Sequence, residues 1–285
     1  MRHPRLTPAA ADLGAAGAAR PSLVAVAHGS RDPRAAATVS ELLKVVGERA
    51  SGLDVRAAFL DHCAPSLPQA LGSLENRASP AAVVVPLLLT AAYHSKTDIP
   101  ARLAEAAAAR PGLTAACTGT LGPHPLLITA LERRLAEAGV AVSDPAARAA
   151  TSVVLAAAGS SDPAANATIA ALAARWQRER GWRAVLPAYA SAAGPRPAEA
   201  VAALRIAQHH TAGMSPVVVA TYLLAPGYFA DKVRDGALSA GAVAVSGVLG
   251  AAPEVADTVI ARYLDAVRAA RRDRAPSRPA AAAWG

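Results

Sequence analysis

Residues 22–43, SLVAVAHGSRDPRAAATVSELL, return 130 positions later as SVVLAAAGSSDPAANATIAALA at 152–173. The match continues beyond them. AAFLDHCAPSLPQAL (57–71) corresponds to PAYASAAGPRPAEAV (187–201), and AAVVVPLLLTAAYHS (81–95) to PVVVATYLLAPGYFA (216–230) after a five-residue insertion. TGTLGPHPLL (118–127) corresponds to SGVLGAAPEV (246–255). A chain built this way must fold as two copies of one unit, so the fold of one copy largely fixes the whole.

Within the first copy, wholly apolar stretches alternate with helical patterns. SLVAVAH (22–28), VRAAFL (55–60), AAVVVPLLL (81–89) and LTAACTG (113–119) read as strands. Segments 34–50, Pro65 to about Asn76, Thr97 to Ala109 and PLLITALERRLAEAG (125–139) read as helices. Strands without polar alternation are buried on both faces, which points to a parallel sheet covered by helices on each side. The expected class is α/β: two tandem doubly wound lobes facing one another. The expected boundaries are a disordered tail at 1–20, a first lobe at 21–139, a linker at 140–150, a second lobe at 151–270 and a disordered tail at 271–285.

Composition narrows the partners. The formal charge is +8, which suits an acidic ligand, although only three of the 29 basic residues are Lys and an Arg-biased composition explains the charge as well. No basic stripe interleaved with aromatics, zinc-finger spacing or RNP-like run argues for nucleic acid. No apolar run reaches ~18 residues, so a membrane span is not expected. The N-terminal 20 residues lack an apolar signal core, and Cys63 and Cys117 form no CxxC pair. A cytoplasmic protein with free thiols is the expectation.

In open parallel sheets, ligands bind beyond the carboxyl ends of the strands. Three successive strands of the first copy end there in metal-ligand types: His28, Asp61 and His94. Taken singly, each has a plainer reading, as a hydrogen-bonded loop imidazole or a helix cap. The duplication supplies a comparison. Ala158, Ser191 and Phe229 stand opposite these three, whereas Gly29-Ser30, Asp32-Pro33 and Tyr93 keep their counterparts Gly159-Ser160, Asp162-Pro163 and Tyr228. Ligand types are missing together while scaffold residues persist, so one lobe is expected to be active and the other structural. Two imidazoles and a carboxylate suit cobalt, iron, nickel and zinc alike. His62 is expected to face away from Asp61 by strand alternation, His209-His210 to be a solvated pair, and His124 to border the cleft. HGSRDP lacks the spaced glycines and Lys of a nucleotide-binding loop, and no G-x-S-x-G elbow is present.

VAHGSRDP, AFLDHCAPSLPQAL, VVVPLLLTAAYHSKTDIP and TGTLGPHPLL together resemble the sirohydrochlorin chelatases of the CbiX type, from about Ser22 to Leu135 and, through the second copy, to about residue 268. The resemblance implies ATP-independent insertion of Co²⁺ or Fe²⁺ (Ni²⁺ being a further candidate) into sirohydrochlorin, for cobalamin or sirohaem synthesis, with no nucleotide cofactor. It makes His28 and His94 the metal-binding and proton-accepting pair, with Asp61 as a further ligand where family members often carry Glu. It implies two lobes paired within one chain around one cleft. Ser30, Arg31, Arg34, Tyr93, Lys96 and His124 are then candidates to hold the carboxylate-rich ring, against the plainer reading of the basic residues as solvated helix starts. The alternatives are a non-catalytic metal or tetrapyrrole carrier and a metal-dependent hydrolase.

Overall fold

The computed structural model describes residues 20–75, 80–91, 97–208 and 215–274. Its strands form two separate four-stranded parallel sheets. In lobe one, β1 (Ser22–Ala27), β2 (Val55–Phe59), β3 (Ala81–Pro86) and β4 (Thr114–Cys117) lie in the order β2-β1-β3-β4. In lobe two, β5 (Ser152–Ala157), β6 (Ala184–Tyr189), β7 (Val217–Tyr222) and β8 (Ala244–Val245) repeat it as β6-β5-β7-β8. The register repeats too: Ser22 pairs with Ala82 and Ser152 with Val217, which makes Val217 the counterpart of Ala82 and carries the five-residue insertion.

Local chemistry is also duplicated. Helices α1 (Pro33–Arg49) and α6 (Pro163–Arg180) both start with proline, whose missing N–H costs nothing there, behind an aspartate cap. Asp32 accepts the Arg34 N–H and Asp162 the Ala164 N–H, each at 2.9 Å.

Alternation along the central strands builds a layered body. Leu23, Ala25 and Ala27 of β1 face a large core, and Val153, Leu155 and Ala157 of β5 face the same core from the other sheet. Between them lie α1, α6, α4 (Pro125–Glu137) and α9 (Pro253–Arg274), which contribute Val46, Leu131, Trp176 and Val259. Val24 and Val26 point the opposite way, onto α2 (Leu67–Gly72) and α3 (Ile99–Ala109). Val154 and Ala156 likewise meet α7 (Pro197–Gln208) and α8 (Tyr228–Ser239). The last helix of each lobe crosses over: α4 of lobe one lies on β7, and α9 of lobe two lies on β3.

Several elements differ from the sequence reading. The helix after Pro65 begins at Leu67, because Ser66 forms a capping box with Gln69, and it ends at Gly72. Helix α3 begins at Ile99 rather than Thr97, and the Asp98 carboxylate accepts from Arg102 Nε at 2.9 Å instead of capping it. The stretch expected as a plain linker contains α5 (Pro145–Ala150), capped by Asp144. It is tied down by Arg148, which donates to Val142 O and Arg180 O at 2.6 Å each. Helix α9 runs to Arg274, into the stretch expected to be a disordered tail, because the shared core holds its N-terminal half in place.

Candidate active site

Beyond the carboxyl edge of lobe one, the backbones of β1 and β2 stay paired for two further residues. Leu60 donates to Ala27 O at 3.0 Å and Asp61 to His28 O at 2.9 Å. The pairing depends on Gly29, which has φ +92; a Cβ there would sit 1.7 Å from Asp61 O. Lobe two keeps the arrangement with Gly159, φ +84, against Ser191 O. Glycine in this motif therefore serves the fold in both lobes, and His28 is the difference between them.

A cavity of about 480 Å³ opens between the lobes at this edge. His28, Ser30, Arg31 and His62 line it from lobe one, above an apolar floor that includes Phe59 and Leu87. Lobe two supplies Ala158 and the segment from Leu223 to Ala230. His28 and its counterpart Ala158 thus border one cavity. His28 is exposed at the strand end, and Ser30, half-buried, accepts the Asp32 N–H at 3.0 Å, which holds the turn into α1.

The sequence-derived candidates divide on this geometry. Ser30 and Arg31 line the cavity with His28. Asp61 is brought beside His28 by the backbone, but its carboxylate is 3.9 Å from Arg102 Nη2 on α3 and does not line the cavity. Arg34 does not line it either. Its guanidinium bonds Asp32 and, across the lobe boundary, Asp231 on α8, both at 2.6 Å. Those bonds lower the pKa of both carboxylates and raise that of Arg34.

His124 is likewise not among the residues lining the cavity. It is the N-cap of α4, its Nδ1 accepting the Leu126 N–H at 3.2 Å. Burial, and then the Arg262 charge, lower its pKa. His94, Tyr93, Lys96 and the His209-His210 pair lie outside the described residues. Among the described residues, no cluster of three or more His, Cys, Asp or Glu side chains is placed to hold a metal ion.

His62 lines the cavity although the sequence reading turned it away. Alternation would turn it away from the cleft, but its φ is +61, and a left-handed residue breaks the strand's side-to-side rule. Ala192 occupies the same conformation in lobe two, with φ +58. The turn therefore belongs to the fold, and the imidazole is what lobe one adds to it. The neighbouring Cys63 thiol is 3.3 Å from Ser30 O, which links this turn to the one after β1.

The electrostatics of the edge are uneven. Arg102 faces both Asp98 and Asp61, and the hydrogen bond it donates to Asp98 does most to raise its pKa. Among the described residues, no helix is long and apolar enough to cross a membrane.

A family model described as CbiX matches residues 22–138 and again 152–266. The sirohydrochlorin cobaltochelatase of Priestia megaterium is 30% identical over 149 residues, 52% of this chain and 47% of that protein. The chloroplastic sirohydrochlorin ferrochelatase of Arabidopsis thaliana is 30% identical over 113 residues, 40% of this chain and 50% of that protein. The chain therefore spans about half the length of these two relatives. With the sirohydrochlorin ferrochelatase of Bacillus subtilis it is 25% identical over 203 residues, covering 71% of this chain and 76% of the relative. Among solved structures, SirB from Bacillus subtilis with Fe³⁺ matches at TM-score 0.75 and 22% identity, over 90% of this chain and 98% of that one. That likeness establishes the fold.

Proposed function

The chain belongs to the CbiX family, and on that premise we propose that it is a sirohydrochlorin chelatase, inserting Co²⁺ or Fe²⁺ into the metal-free ring without ATP. One observation carries the reading. A single cavity lies between two copies of the same strand-end motif, with an imidazole on one wall at His28 and a methyl group on the other at Ala158. The lobe at 21–139 is the active one, the lobe at 151–270 completes the cleft, and the two pair within one chain.

The chemistry follows from the residue types. Metallation removes two pyrrole N–H protons and requires a partly dehydrated divalent ion, which is a substrate. Neutral imidazole can bind such an ion or accept a proton at ordinary pH. We assign those roles to His28 and His94, with His62 as a further cavity imidazole. Asp61 joins the ligand set only if its carboxylate leaves Arg102, which stays paired with Asp98 in either case. Among the described Lys and Arg residues, Arg31 is the one on the cavity wall and is assigned to the carboxylates of the ring, with Ser30, Tyr93 and Lys96 as further contacts. No nucleotide, nucleic acid or membrane enters this reading. The free thiols Cys63 and Cys117 fit a cytoplasmic location, with the product going to cobalamin or sirohaem.

The test is anaerobic incubation with metal-free sirohydrochlorin, followed by absorbance with Co²⁺ and Fe²⁺ in turn. Many metallated rings per chain are expected. One ring per chain would make the protein a carrier, and no metallation above the uncatalysed rate would remove the proposal.

A further inference from the structure

Lobe two has lost every proposed ligand, yet the side chains it turns toward the cavity are not a random remainder. Leu223, Leu224, Pro226, Tyr228 and Phe229 make its wall almost wholly apolar. The two rings are the unusual part. Aromatics are scarce here, with two Phe, five Tyr and three Trp in 285 residues. Among the described residues, Phe59, Trp176, Trp182, Tyr189, Tyr222 and Tyr263 are all buried. Tyr228 and Phe229 are not: they stay 72% and 40% exposed. Two adjacent exposed rings on the wall of a cavity are a surface that binding would bury.

Their placement is fixed. They open helix α8 behind Gly227 and stand edge to face, with ring centroids 5.6 Å apart and planes at 60°. Asp231, in the first turn of α8, is bonded to Arg34 at the start of α1, so the wall is tied to the lobe that carries His28. Lys232 stands with Nζ over the Tyr228 ring, 6.0 Å from its centre, placing a cation beside the aromatic pair. An aromatic patch with a positive charge beside it suits an apolar macrocycle with carboxylates on its rim.

We propose that Tyr228 and Phe229 form a shelf for one face of the tetrapyrrole, so that the ring lies against lobe two and offers its other face to His28. On this account the replacement of a histidine by Phe229 gave lobe two a binding role in place of a ligand. The proposal rests on the chelatase reading above and adds which lobe grips the ring and which face receives the metal.

The experiment titrates metal-free sirohydrochlorin into the full chain, using the fluorescence of the ring, and titrates Co²⁺ alone by calorimetry. It compares wild type with Tyr228→Ala, Phe229→Ala, the double variant and Phe229→Tyr. The exposure of both rings makes the fold tolerant of these changes, and thermal unfolding checks this. The double variant is expected to bind the ring at least about tenfold more weakly, with its Co²⁺ affinity kept, while Phe229→Tyr binds the ring nearly as wild type does. Undiminished ring affinity in the double variant, with wild type turning over normally, overturns the shelf and leaves the chelatase reading standing. Equal losses of ring and Co²⁺ affinity overturn it as well. A wild-type chain that does not bind the ring at all removes both.

Discussion

Arg134 and Arg262, at equivalent positions of α4 and α9, make the same bond in opposite directions across the lobe boundary. Arg134 Nη2 donates to Leu249 O at 2.9 Å, and Arg262 Nη2 donates to Leu121 O at 3.0 Å. Leu121 and Leu249 are themselves equivalent and fully buried. The two lobes are thus related by an approximate two-fold arrangement, locked by the helices that cross over. Neither sheet is covered on both faces without the other lobe, because α4 lies on β7 and α9 on β3.

The crossing predicts one unfolding transition for the whole chain. Arg134→Ala or Arg262→Ala should lower that transition, each by about 1–3 kcal/mol, because a buried carbonyl loses its charged donor. Calorimetry decides it: two separated transitions, for wild type or either variant, would show lobes that fold independently. A chain of residues 151–270 alone, lacking α4, should fail to fold cooperatively.

Acid should loosen the same boundary through Glu254. Burial, the largest single effect, pushes its carboxyl pKa up, but hydrogen bonds from Arg133 on α4 and from its own backbone, with the charges of Arg133 and Arg134, together outweigh this and hold it below the ordinary value of 4.5. A depressed carboxylate stabilises the fold in full above its unfolded pKa and loses that contribution as pH falls through the folded one. Glu254→Gln should therefore lower Tm by a constant amount from pH 7 down to about 5, and the gap should close below 4.5. A gap that persists unchanged at pH 3 would mean that the ion pair with Arg133 is not its source.

Gly29 and Gly159 offer a test of fold against site. Alanine at 29 would put its Cβ 1.7 Å from Asp61 O, and alanine at 159 would put its own 2.1 Å from Ser191 O, both with positive φ. Each substitution should destabilise the chain by at least about 2 kcal/mol, and Gly29→Ala should also displace His28 and cut metal insertion. A Gly29→Ala protein as stable as wild type would mean that the strand ends separate freely.

What the sequence could and could not announce follows from the range of each interaction. The α/β fold was legible because apolar runs without alternation are a local property, and the repeat made the reading twice over. The crossing of α4 and α9 was not, since an amphipathic helix shows the same stripe whichever sheet it covers. Arg34 reads as a free cation until the fold brings Asp231 to it from the other lobe. His124 is an N-cap, and its place just before Pro125 was the available signal. His62 needed a backbone angle that no side-chain pattern encodes. The comparison of His28 with Ala158 did reach the cavity from sequence alone, because duplication prints two versions of one strand end in a single chain.

That duplication also provides the most direct test of the site. Lobe two packs around Ala158 and Ser191 at the positions of His28 and Asp61. There Ser191 Oγ donates to Ala158 O at 3.0 Å, across the same paired strand ends. His28→Ala with Asp61→Ser would copy that solution into lobe one: the new hydroxyl can reach the carbonyl of residue 28, and Arg102 keeps Asp98 at 2.9 Å. The double variant should therefore unfold within a few degrees of wild type yet lose nearly all metal insertion. Single variants should separate the two roles. His28→Ala should be as damaging as the pair, because it removes the imidazole from the cavity wall. Asp61→Ser should cost less, because its carboxylate starts on the α3 side beside Arg102. Turnover with metal-free sirohydrochlorin, read beside thermal unfolding, decides each point. Should the folded double variant still metallate the ring at the wild-type rate, the reaction does not run through these strand ends, and His62 would be the next residue to replace.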